Sequence, residues 1–90
     1  MEYRVWKYEL EPGATGIQMP IGAKPISVGW QSTGVVLWTL IPGDPLAGSD
    51  AEIRRFLWVG TGHKFDGPVE FIGTVQDPNG LVWHVFEKVE

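Results

Sequence analysis

The sequence contains no cysteine, which excludes disulfides, thiolate zinc sites and cysteine nucleophiles. Positive charge is also scarce, because seven Lys and Arg face eleven Asp and Glu for a formal net charge of -4. A general nucleic-acid coat or a binder of anionic membranes needs a basic face, so neither class is favoured. The longest apolar run, residues 35–41, is interrupted by Thr39 and ended by Pro42, far short of a membrane span. Arg4 and Lys7 lie in an alternating strand-like stretch rather than a signal peptide, so we expect a cytoplasmic protein.

Aromatic residues and turn-forming residues are abundant. The 90 residues include 5 Trp, 4 Phe and 2 Tyr, together with 12 Gly and 7 Pro. This combination is typical of short strands joined by tight turns. We therefore expect residues 1–90 to form a single all-β domain, a small antiparallel sandwich or barrel of about seven short strands.

Alternating polar and apolar residues place the strands. The predicted strands are residues 3–10, 15–19, 24–31, 35–41, 52–59, 69–76 and 81–88. Residues 42–50 and 60–67 are predicted loops, and Asp77-Pro78-Asn79-Gly80 is a strong turn signal. In the first strand, Trp6, Tyr8 and Leu10 share the predicted core face with Arg4.

The predicted fourth strand is apolar on both faces, with Val36, Trp38 and Leu40 on one side and Val35, Leu37 and Ile41 on the other. Such a strand is either central in a sandwich or packed on a second subunit. A small core is also often supplemented by self-association, so we expect a homo-oligomer.

The loop Gly60-Thr61-Gly62-His63-Lys64 is the first candidate site. Its glycines would let the backbone approach a ligand, and its N–H groups, the Thr61 hydroxyl, His63 and Lys64 could bind an anion. The alternative is a tight turn in which the glycines take positive φ.

Arg54 and Arg55 are the second candidate, since two cations lie in an otherwise apolar strand with Trp58. Arg54 shares a face with Trp58, so a nucleotide could stack its base on the indole while its phosphates meet a guanidinium. The alternatives are an inward-leaning charge on an edge strand or an arginine paired with a carboxylate.

Catalytic and metal-binding constellations are sparse. His63, Asp66 and Thr61 could form a base with its orienting groups, but nothing in their spacing fixes the geometry. His84, on one face of the last strand, fits a hydrogen-bonded core or rim residue. We therefore predict no catalytic residues, no metal and no cofactor.

The chain resembles a family of small uncharacterised proteins of tailed phages and prophage-bearing bacteria. The resemblance rests on Trp6-Lys7-Tyr8-Glu9-Leu10, Val59-Gly60-Thr61-Gly62-His63 and Val82-Trp83-His84-Val85-Phe86-Glu87, and it extends over nearly the whole chain. It implies a phage-encoded protein that works in the host cytoplasm, but it implies no catalytic residue.

The residues and the resemblance together predict a non-catalytic binding protein. The first hypothesis is capture of a small anionic, nucleotide-like ligand, such as a signal of host immunity, by Gly60, Thr61, Gly62, His63, Lys64, Arg54, Arg55 and Trp58. The alternatives are a module that binds or inhibits a host protein by β-edge addition or an aromatic hot spot, a virion or assembly component, and an enzyme that uses His63.

Overall fold

A computed structural model describes residues 2–45 and 50–89 of the chain. Its seven strands are β1 (Tyr3–Glu9), β2 (Gly13–Pro20), β3 (Lys24–Gln31), β4 (Gly34–Pro42), β5 (Ala51–Gly60), β6 (Val69–Gln76) and β7 (Val82–Lys88). The predicted all-β class is confirmed. The predicted bounds of residues 24–31 and 69–76 are confirmed, and those of the other strands differ by one or two residues. The largest difference is at the start of β2, where the ladder with β5 continues back to Gly13 opposite Trp58.

The strands form two antiparallel sheets. The three-stranded sheet has the order β1-β4-β3, and the four-stranded sheet has the order β2-β5-β7-β6. Within residues 2–45 and 50–89, no helix is long and apolar enough to cross a membrane.

The core lies between the sheets, on the inner face of each. Strand β4 is central in its sheet, as one of the two sequence interpretations required, and its inner row includes Val35, Leu37 and Ile41, all 0% exposed. The facing row of β5 and β7 supplies Phe56 and Val85. The inner face of β1 carries Trp6, Tyr8 and Leu10, as predicted.

Four of the five tryptophans pack on or in this core, namely Trp6, Trp30, Trp58 and Trp83. Trp38 differs, because it belongs to the outer row of β4 and its ring covers the backbone of Gly29. A Cβ on Gly29 would lie 2.7 Å from that ring, so only glycine leaves the ring this space.

The connection from β5 to β6 passes over β7. Both β5 and β6 are antiparallel to β7, so they run parallel to each other. Residues 61–68 must therefore return along the length of the sheet. They do so across its outer face, the face turned away from the three-stranded sheet, where Phe65 packs on Phe86 of β7 with ring centroids 4.8 Å apart. We call residues 61–68 the crossover.

Candidate functional site

The structure divides the eight predicted ligand-binding residues among separate places along and around β5. Arg54 lies on the inner face near the start of the strand, and Arg55 on the outer face beside it. Trp58 lies in the core, and the Gly60–Lys64 segment follows at the far end. Six residues of strand separate Arg54 from Gly60, about 20 Å. The two arginines therefore do not share a pocket with the glycine turn, and ligand capture by the whole set remains a prediction.

Arg54 is engaged inside the protein. Its guanidinium makes a two-point ion pair with Glu87, in which Nη2 lies 3.0 Å from Oε1, and its Nη1 donates to the Ala23 carbonyl at 2.7 Å. Glu52 adds a more distant carboxylate at 3.9 Å. The hydrogen bond from Arg54 to Glu87 raises the pKa of Arg54, against the opposing effect of burial. Of the sequence alternatives for Arg54, pairing with a carboxylate is the one that the structure contains.

Glu87 is a component that sequence reasoning missed. It lies opposite Phe56 in the ladder between β5 and β7, so it faces inward and is 8% exposed. A signal was present, since its spacing from Val85 places it on the same buried face, where an acid needs a cation. We call the group Arg54, Glu87 and Ala23 the arginine end of the sandwich. A cavity of about 380 Å³ opens beside it, lined in part by Lys24, Glu70 and Phe71.

Trp58 occupies the opposite end of the inner row. It contacts Trp30 and Trp83 edge to face, with centroid distances of 5.9 and 5.6 Å and interplanar angles of 84° and 89°. These three rings form the tryptophan end of the sandwich. Trp58 is 7% exposed, so it is a core residue rather than an open stacking platform. Its Nε1–H is buried with no hydrogen-bond partner among the described residues.

The Gly60–His63 segment is a tight turn. The His63 N–H donates to the Gly60 carbonyl at 3.2 Å, and Gly62 has a φ of 88°, which favours glycine. The imidazole of His63 lies against Gly60, where an added Cβ would be 3.2 Å from the ring and 3.4 Å from Trp83. This is the turn alternative that the sequence left open. It uses the His63 N–H internally, so that group does not face a ligand.

The Thr61 hydroxyl is paired with His84 rather than His63. Thr61 Oγ1 lies 2.7 Å from His84 Nε2, and Thr74 Oγ1 lies 3.1 Å from His84 Nδ1. A neutral imidazole donates from one nitrogen and accepts at the other, and a hydroxyl can do either. Both partners of the ring are hydroxyl groups rather than carboxylates, and the bridge connects the start of the crossover to β7 and β6. We interpret it as a structural bridge.

The predicted turn at residues 77–80 is confirmed, and it also supports the tryptophan end. Asp77 Oδ1 accepts from the N–H groups of Asn79 and Leu81 at 2.8 and 3.0 Å, and its Oδ2 accepts from Trp83 Nε1 at 3.0 Å. Burial works against ionisation of Asp77, but these hydrogen bonds outweigh it, so its pKa is lowered.

The outer face of the four-stranded sheet carries a cluster that the sequence analysis did not single out. Phe86 is flanked by Phe65 from the crossover and by Phe71 from β6, with centroid distances of 4.8 and 5.6 Å. Phe65 is 42% exposed and Phe71 is 61% exposed. We call these three rings the aromatic patch. The available signal was Phe65, a lone large apolar residue in a glycine-rich loop, but its partner was not evident without the path of the crossover.

Within residues 2–45 and 50–89, no three His, Asp or Glu side chains are grouped as a metal site would require. Comparison with curated proteins and with solved structures found no match in either. A family model described as a domain of unknown function (DUF7352) matches residues 1–90. Because this model matches the whole of residues 1–90, the chain belongs to the family of the domain of unknown function DUF7352.

Proposed function

We propose that the protein is a non-catalytic binding module that holds a protein partner on the aromatic patch. The observation that carries the proposal is the exposure of Phe65 and Phe71 around a shared ring, at 42% and 61%. Contiguous exposed apolar surface with a polar border is typical of protein interaction sites. Aromatic side chains are also enriched among the residues that dominate binding energy.

The patch is prepared for binding because its parts are held in place. Phe65 is fixed by stacking on Phe86 and by the bridge from Thr61 to His84 at the start of the crossover. Little side-chain freedom is then lost on association, which favours affinity. The border includes Lys88, next to Phe86 along the outer row, and Thr74. A partner that fits would insert an apolar side chain between the rings and place polar groups around it.

Phage origin, proposed from the sequence resemblance, would make the partner a host protein or a component of the virion. Inhibition of a host protein requires a stable surface and no catalytic group, which agrees with a rigid aromatic patch. The cytoplasm of an infected bacterium is then the place to look for the partner.

The experiment places a photo-reactive phenylalanine analogue at position 71 and, as the matched control, at position 53. Ile53 is 58% exposed on the outer face of the same sheet, so it has similar accessibility without belonging to the patch. We expect one defined protein to be crosslinked from position 71 and not from position 53. Phe71→Ser should weaken binding of that protein by at least about tenfold, while Ile53→Ser leaves it unchanged. Equal crosslinking from both positions would contradict the proposal.

Capture of a small anion is the second candidate, now centred on Arg55. In the continued register between β5 and β7, Arg55 lies opposite Lys88, so two cations are neighbours on the outer face. Glu52 also lines the groove there, and its carboxylate lies 3.9 Å from Arg54. A shift of the melting temperature with inorganic phosphate or nucleotides, lost in Arg55→Ala, would support this function; no shift with any of them would remove it.

A further inference from the structure

The edge of β2 differs from the other three sheet edges. Strand β3 carries Pro25 and a bulge, strand β6 carries a bulge between Phe71 and Gly73, and these two edges pack together. A Cβ on Gly73 would lie 2.6 Å from Val28, which shows how closely they approach. Strand β1 presents charged Lys7 and Glu9. Bulges, prolines and charges are the features that prevent edge-to-edge pairing, and β2, with no charge and a proline only at its end, has none of them in its interior.

The hydrogen-bond register shows which groups of β2 point outward. The Ile21 N–H donates to the Asp50 carbonyl at 3.2 Å, which continues the register of the β2–β5 ladder. Hydrogen-bonded and non-bonded pairs alternate in an antiparallel ladder. The odd-numbered residues of β2 therefore bond to β5, and the backbone groups of Ala14, Gly16 and Gln18 point away from the sheet. All three residues are exposed.

This outward row is symmetric about Gly16. Pro12 and Pro20, four residues on either side, have no N–H and limit the row at both ends. Two copies that pair antiparallel with Gly16 opposite Gly16 match Ala14 with Gln18 in both directions. The three pairs then exchange two bonds each. After a slip of two residues only two complete pairs remain, because each proline then lies opposite a residue of the row and offers it no N–H.

We propose that β2 pairs with β2 of a second copy, which joins the two four-stranded sheets into one continuous sheet about a twofold axis at Gly16. The occupant is a second copy because it presents the same unprotected row, with the same length and the same two proline limits, so each copy covers the exposed edge of the other. The contact is small, so we expect a dissociation constant on the order of 100 µM.

The side chain of Arg55 provides a test of the register between the two β2 strands. Its Nη1 lies 3.2 Å from where a Cβ of Gly16 would be, so the guanidinium covers this glycine on the outer face. In the proposed dimer both guanidinium groups lie over the paired glycines and repel each other. Arg55→Gln should therefore strengthen association by about two- to fivefold, an effect that fades with added salt. A weaker dimer in Arg55→Gln would contradict a register centred on Gly16.

The first experiment needs no variant. Amide exchange and sedimentation are measured on the intact chain at about 10 µM and about 1 mM, below and above the expected dissociation constant. We expect the amides of Ala14, Gly16 and Gln18 to gain protection as the mass doubles. The outward amides of Val5 and Lys7 on β1 serve as the control and should not change. A monomer at both concentrations would overturn the proposal.

The second experiment removes the central donor. In Gly16→Pro the lost N–H is one that does not bond to β5, and an outward edge position tolerates proline. Loss of one bond from each copy should weaken association by at least about tenfold. Val5→Pro makes the same change at an outward position of β1 and should leave association unchanged. Equal association in both variants would contradict the proposal.

The dimer does not depend on the aromatic patch binding a partner. A twofold axis perpendicular to the joined sheet leaves both outer faces on one side, so the two Phe86 rows would lie about 24 Å apart at ~4.8 Å per strand. Gly16→Pro should then weaken self-association and retain crosslinking from position 71. Loss of crosslinking in Phe71→Ser leaves the dimer intact, so the two failures are distinguishable.

Discussion

The two ends of the inner row of β5 fill the space between the sheets with different kinds of side chain. At the tryptophan end, Trp58 is closed in by Trp30 and Trp83, and the sandwich is filled with rings. At the arginine end, four residues earlier on the same strand, Arg54 fills the row with a charge that Glu87 and the Ala23 carbonyl neutralise. One end is apolar and nearly closed, while the other is polar and opens into a cavity.

The difference is instructive because the two ends contribute to stability by different mechanisms. Burial of a large ring removes apolar area from water and gains further from edge-to-face contacts. Burial of an ion pair costs desolvation energy, and the Coulomb attraction and hydrogen bonds of the pair offset roughly that cost. We therefore expect the tryptophan end to contribute more to the free energy of unfolding. The arginine end should instead fix the positions of Arg54, Glu87 and Ala23 relative to one another.

Removal of Trp58 should produce the largest loss. Trp58→Ala leaves a cavity between two rings and is expected to lower the free energy of unfolding by about 3–5 kcal/mol, measured by urea denaturation. Trp38→Ala is the control, because Trp38 is half-buried on an outer face and should cost less. Equal losses would show that the inner position confers no special stability.

Disruption of the ion pair should cost less. Glu87→Gln leaves the Arg54 charge partly buried without its counter-charge and should lower the free energy of unfolding by about 2 kcal/mol. Replacing both residues by Met should recover most of that loss, since the unpaired charge is then gone. A double variant as unstable as Glu87→Gln would indicate that the ion pair itself contributes net stability.

The smallest effect should come from Asp77, which supports the tryptophan end from outside the core. Its pKa is lower in the folded protein than the usual value of 3.8, so ionised Asp77 favours the folded state. This contribution is present above about pH 4 and is lost as the pH falls through the folded pKa. Asp77→Asn should lower the melting temperature at pH 7, and the difference from the unaltered chain should shrink below about pH 4. A difference that is constant with pH would indicate that charge is not involved.

Much of the fold was predictable because local patterns and tertiary packing agree. Alternation in residues 3–10 and 24–31 predicted both strands, and in the first of them it also predicted the core face; the Asp77–Gly80 turn followed from its Pro and Gly positions. The candidate site was less predictable. Arg54, Trp58 and Gly60 are close in sequence, but they lie along one extended strand. An extended strand holds its two ends far apart, so these residues do not line a common pocket.

The sequence by itself determined the class of fold, the number of strands and the core face of the first strand, because a period of two and strong turn residues act over short distances. Only the tertiary structure decided that Glu87 meets Arg54, that Thr61 meets His84, and that Phe65 returns over Phe86. Each of these contacts depends on strand order and on the path of the crossover. Strand order is set by how the whole core packs, and no local segment contains that information.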